Sequence, residues 1–110
     1  MTNIEALRTL CNAIANTFYP DTATLEFALF NESVDAKADA TPKDATIFRV
    51  AVALIKGYVE NSRSEGGVST SVNEDAVKES LLFWCNYYGL DAADELSDYL
   101  RVIDDVSNRW

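Results

Sequence analysis

Histidine, the side chain most often used for proton transfer and metal binding, is missing from all 110 residues of this chain. Its absence removes imidazole acid/base catalysis, Ser-His and Cys-His nucleophile pairs, and the usual zinc and iron ligand sets. Two cysteines remain, Cys11 and Cys85, 74 positions apart and each inside an apolar helical pattern. Buried free thiols suit that setting better than a disulfide framework, which predicts a reducing compartment. Carboxylates are plentiful: Asp91, Asp94, Glu95, Asp98, Asp104 and Asp105 share their stretch with a single base, Arg101. That cluster lacks the alternating oxygen ligands, mid-loop glycine and closing glutamate of a calcium loop, and Leu96, Tyr99 and Leu100 hold it to a helix. No residue is fixed opposite it for glycoside chemistry, so it reads as a solvated helix face. The expectation is a chain with no catalytic, cofactor-binding or metal-ligating residue, and not an enzyme.

Gly66-Gly67 is no phosphate loop, because no Gly-Lys-Ser/Thr follows it and Glu65 would repel phosphate. It reads instead as the middle of an extended segment, in which Val68, Thr70 and Val72 alternate with serines and could add a strand to another chain. A plain solvated loop is the other reading. The aromatic group Phe83, Trp84, Tyr87 and Tyr88, with Trp110, lacks the interleaved basic residues of a base-stacking platform. One helix face cannot bury all four of the clustered rings. Those left over are candidates for subunit contact, since interface centres are enriched in Trp, Tyr and Phe.

The elements that position these residues read as helices. Ile4, Leu7, Cys11, Ile14 and Phe18 recur at helical spacing, which predicts a first helix over about residues 3–17, closed by Pro20. Asp21 or Thr22 caps a second helix to about residue 33, with Leu25, Ala28 and Leu29 on its core face and Phe27 and Phe30 broadening that face. Residues 35–41, small and charged, form a connection. Thr41-Pro42-Lys43-Asp44 is a strong start signal, with a capping hydroxyl, a proline at the first helical position and an acid in the first turn. Behind it Ile47, Val50, Ala51, Leu54, Ile55, Tyr58 and Val59 predict a central helix of about three turns. From Asn61 to Val72 the period is lost. Asn73 then caps a helix with Val77, Leu81, Trp84, Cys85 and Tyr88 on one face. Leu82, Phe83 and Tyr87 make that helix apolar almost all round, as expected of one sandwiched between its own core and a partner. Gly89 stops it, and Asp91 caps a last helix carrying Leu96, Tyr99, Leu100, Ile103 and Val106.

The predicted fold is therefore a single all-α domain over residues 1–110, a small bundle of four to five helices with one long Gly-Gly loop and room for a short extended segment. A length of 110 residues and an apolar content of 48% allow one real core and exclude disorder. No basic region or continuous apolar stretch follows Met1, so no secretory signal is expected. The longest apolar run, Val50–Ile55, is far short of the roughly 20 residues that span a bilayer, and a soluble protein is expected. The formal charge of −9 argues against a grip on nucleic acid. It is unevenly spread: residues 1–33, 34–65 and 66–110 carry −3, 0 and −6.

Several segments also resemble a known family. Leu7 to Leu10, Phe18-Tyr19-Pro20-Asp21, Glu26 to Leu29 and Ser33-Val34-Asp35 resemble the opening of small tailed-phage and prophage proteins. Arg49 to Lys56, then Ser64-Glu-Gly-Gly-Val-Ser-Thr-Ser71, then an aromatic helix ending Tyr87-Tyr88-Gly89 are similar to head-tail connector proteins, also called adaptor or head-completion proteins. The likeness spans residues 4–89, and its one specific part is the Glu65 to Ser69 motif. It implies a non-enzymatic structural subunit that assembles with copies of itself as a ring at the portal vertex, contacts portal or tail proteins, and lets the genome pass. It would reside in the host cytoplasm during assembly and then in the virion. With the alternating segment and the left-over aromatics, it gives as candidate subunit- or partner-contact residues Glu65, Gly66, Gly67, Val68, Thr70, Val72, Phe83, Tyr87 and Trp110. The acidic helix from residue 91 has no counterpart in the resemblance. Read without the resemblance, the chain is a small acidic bacterial adaptor or regulatory domain that binds a basic protein or mimics DNA.

Overall fold

A computed structural model describes residues 1–64 and 74–97. Its first helix, α1 (Asn3–Ile14), starts where Thr2 and Glu5 form a capping box: the Glu5 N–H donates to Thr2 Oγ1 and the Thr2 N–H donates back to Glu5 Oε1. Two more first-turn donors are met by the connection ahead of the third helix. Asn3 N–H reaches the Ala38 carbonyl at 2.9 Å and Ile4 N–H the Ala36 carbonyl at 3.0 Å. Asn3, the buried polar residue of the core, gives its amide to the Asp35 carbonyl at 2.9 Å. The small residues of 35–41 thus satisfy a helix end that would otherwise be orphaned. The helix stops at Ile14 rather than 17, because Thr17 and Phe18 are engaged elsewhere. Phe18 stacks on Tyr58 with ring centroids 4.5 Å apart, and Thr17 Oγ1 lies 2.9 Å from the Tyr58 hydroxyl.

α2 (Thr22–Asn31) is capped by Asp21, which accepts from the Thr24 N–H at 2.7 Å. It ends in a Schellman turn: Val34 N–H returns to the Leu29 carbonyl, Ser33 N–H to that of Phe30, and Ser33 takes φ 59°. The next start lies three residues later than expected. Lys43 adopts φ 57°, which a helix cannot contain, so Pro42 and Lys43 form a turn and Thr41 caps nothing. Asp44 does the capping instead, its side chain accepting from Thr46 N–H at 2.9 Å and its carbonyl from Phe48 N–H at 3.1 Å. α3 (Ala45–Ser64) runs past Asn61, where the expected loop would have begun. α4 (Glu74–Tyr87) closes on Gly89 at φ 73°, with Leu90 N–H on the Cys85 carbonyl and Gly89 N–H on that of Asn86. α5 (Ala92–Glu95) is a single turn capped by Asp91.

The fold is all-α, with α1 and α3 at its centre, α2 and α4 each packed on both, and α5 on α4. Leu7, Cys11, Leu25, Leu29, Phe48, Ile55, Leu81, Cys85 and Leu96 are buried together. Phe48 lies outside the apolar stripe read from spacing, yet it is wholly buried, its ring 5.4 Å from that of Tyr88. No helix of the described residues is long and apolar enough to cross a membrane.

Candidate functional site

Most of the large apolar side chains that the described residues leave exposed are aromatic. On α4, Val77, Leu81 and Cys85 face the core while Phe83 and Tyr87 point away from it, 60% and 55% exposed. Four residues apart on one helix, their rings stack with centroids 6.3 Å apart and planes 15° from parallel. Trp84 meets both edge-on, at 5.4 and 5.6 Å, and is itself packed against the core. The left-handed turn at Lys43 brings its ammonium to 4.7 Å from the Tyr87 ring centre, a cation–π contact that adds a positive charge to this face.

A second aromatic face lies on α2, and here the sequence reading needs correction. Phe27 and Phe30 do not broaden the core face. They are 65% and 75% exposed, because Leu25 and Leu29, with Ala28 beside them, fill the space that α2 shares with α1 and α3. The two rings line an open hollow of about 560 Å³ with Ala23, Glu26 and the turn Asp35–Lys37. Among the described residues no ring contact joins this pair to the α4 pair.

The acidic stretch is less uniform than a solvated face. Glu95 accepts from Arg49 Nε at 2.8 Å and from its second guanidine nitrogen at 2.9 Å, clamping α5 to α3 beside the buried Leu96. The Arg49 hydrogen bonds hold the Glu95 carboxyl below the usual range. Asp91 is spent on capping, accepting from Ala93 N–H at 2.9 Å, while Asp94 is exposed. Among the described residues no three carboxylates or thiols gather to hold a metal ion. Both cysteines are free and buried; burial alone pushes the Cys11 thiol up to about 12 and is the main cause that raises Cys85.

Of the sequence-predicted contact residues, Phe83 and Tyr87 stand together on the outer face of α4. Glu65, Gly66, Gly67, Val68, Thr70, Val72 and Trp110 lie outside the described residues, as do Asp98, Tyr99, Leu100, Arg101, Ile103, Asp104, Asp105 and Val106. The residues that sequence reasoning missed are Phe27, Phe30 and Lys43. A signal for the first two was present, since four apolar side chains at 25, 27, 29 and 30 cannot all share one helix face.

A family model spans residues 1–110 of the chain, the whole of its length. The chain belongs to DUF6706, a family of unknown function. No curated protein and no solved structure matches it. This DUF6706 member carries two exposed aromatic faces, with the Lys43 ammonium at one and Glu26 and Asp35 at the other.

Proposed function

We propose that this chain is a non-enzymatic assembly subunit of the kind its sequence resembles, a head-tail connector of tailed phages and prophages. It would act by meeting copies of itself and a portal or tail protein, with no chemistry of its own. The observation that carries this reading is the pair of exposed aromatic faces on α2 and α4. In each face two rings that are more than half exposed stand together, and contiguous exposed apolar surface marks interaction sites. Two unlike patches on one subunit are what head-to-tail contacts require, and such contacts close into rings when the rotation permits. The net charge of −9 fits passage of DNA, because an acidic lining repels phosphate and does not hold it.

The test is mass photometry and negative-stain microscopy of the purified chain, alone and with its cognate portal protein. Rings, alone or seated on the portal, are expected. Failure to form rings or bind portal in any condition overturns the reading.

A further inference from the structure

We infer that the outer face of α4 in one copy docks into the hollow beside α2 of the next copy. The inference rests on the assembly reading and names the contact that would build it. On one side stands the stacked pair Phe83 and Tyr87, more than half exposed, with the Lys43 ammonium over the Tyr87 ring. On the other lies a shallow, wide-open hollow of about 560 Å³ that the exposed rings of Phe27 and Phe30 help to line. Two exposed ring pairs that meet can bury one another, and offset or edge-on ring pairs favour such contacts.

Charge points the same way. The rim of the hollow carries two carboxylates, Glu26 and Asp35, against one ammonium, Lys37. Lys43 brings a cation to the opposing face, so the register that seats Tyr87 among the phenylalanines sets opposite charges side by side. Economy of contacts also favours unlike faces. One repeated α4-to-α2 contact covers all four rings, whereas a two-fold contact of α4 with α4 leaves Phe27 and Phe30 in water.

Area sets the strength. Taking about 200 Å² per aromatic side chain, the exposed parts of the four rings amount to about 500 Å². Stable interfaces bury about 1,200–2,000 Å², so the rings form the centre of a contact that is weak between two free copies. Closing a ring, in which every copy makes the contact twice, is what would make it persist.

Cross-linking tests the contact with its rings intact. Ala23→Cys places a thiol at the hollow and Asn86→Cys places one beside the α4 pair, both at exposed positions, while Cys11 and Cys85 are buried. The two variants, distinguished by mass tags and checked for fold by circular dichroism, are mixed at high concentration and treated with a short bis-maleimide. Linkage of Ala23→Cys to Asn86→Cys chains is expected. Lys43→Glu in the Asn86→Cys chain should cut the yield several-fold, and Glu26→Lys with Asp35→Lys in the other chain should restore it. Self-association with only like-to-like links, or with none, overturns the α4-to-α2 contact and leaves the assembly reading standing. A chain that stays monomeric and also ignores the portal overturns both.

Discussion

Phe30 and Phe48 are chemically identical side chains that the fold treats oppositely, and the functional reading depends on that difference. Phe48 is wholly buried against Tyr88 and the central helices. Truncating it to Ala removes its burial and leaves a cavity, at about 3–5 kcal/mol. A domain of this size has about 5–15 kcal/mol in total. Phe30 is 75% exposed, so only about 50 Å² of its ring is covered, and Phe30→Ser costs about 1 kcal/mol. Urea unfolding followed by circular dichroism separates the two. With a slope of about 1.5 kcal/mol per molar, Phe48→Ala should lower the midpoint by about 2–3 M and Phe30→Ser by less than about 1 M. Assembly should respond in the opposite order, because the exposed part of the Phe30 ring, about 150 Å², is what the proposed contact would cover, and truncating a central interface aromatic costs about 1–2 kcal/mol. That corresponds to about five- to thirtyfold weaker association. Equal midpoint losses would place the α2 outer face inside the folded monomer and remove half of the case for a second docking face.

Two glycines should respond with opposite signs to alanine. Gly57, inside α3 with open space where a Cβ would go, should gain about 0.5–1 kcal/mol, while Gly89 at φ 73° should lose about 1 kcal/mol although its Cβ would meet nothing. Thermal melts should therefore move a few degrees in opposite directions. Glu5, held low by Thr2, Asp21, held low by Thr24, and Glu95, held low by Arg49, all have depressed carboxyl pKa values. Their stabilisation is complete above the ordinary values of 4.5 for Glu and 3.8 for Asp and is lost as pH falls through the depressed ones, so the melting temperature should drop below pH ~4.5, and Glu95→Gln should flatten part of that drop. Cys11 and Cys85 should react with an aromatic disulfide reagent only on unfolding, since both are buried with raised pKa values; fast native labelling of either would contradict the packing of α1 on α4.

How legible these features were depended on how local their causes are. Asp21, Asp91 and Gly89 act on backbone groups two to five residues away, and the sequence pattern placed each of them at the right helix end. Thr41-Pro42 failed because a cap works only if the residues after it are helical, and Lys43 is not. Its left-handed turn goes with a contact 44 positions away, where the Tyr87 ring receives the ammonium. Phe27 and Phe30 failed for another reason. In a helix with apolar residues on several sides, spacing shows that some must be exposed but not which, and only the room left by α1 and α3 decides. Glu95 looked like one more solvated acid, since its partner Arg49 is 46 positions away. The three-turn stripe of α3 was readable, but its continuation through Asn61–Ser64 was not, because polar residues cost a growing helix only a few tenths of a kcal/mol each.

Aromatic faces and net charge act against each other, and their balance separates the assembly reading from that of an acidic adaptor. Two bodies of charge −9 about 30 Å apart repel by about 11 kcal/mol in pure water. A screening length of about 30 Å at 0.01 M salt leaves roughly a third of that, and one of about 8 Å at 0.15 M leaves almost none. The Lys43 contact with Glu26 and Asp35 is a short-range rim interaction worth about 1 kcal/mol or less, too small to reverse the trend. Self-association through apolar rings should therefore tighten on the order of a hundredfold between those salt concentrations. An acidic domain that grips a basic protein, or mimics DNA, must do the reverse, because its affinity comes from the attraction that salt screens. The sign of the salt dependence thus identifies which force makes the complex. Sedimentation velocity at the two ionic strengths reads it directly, and association that weakens as salt rises would mean that the acidic surface, not the rings of α2 and α4, is what this chain uses.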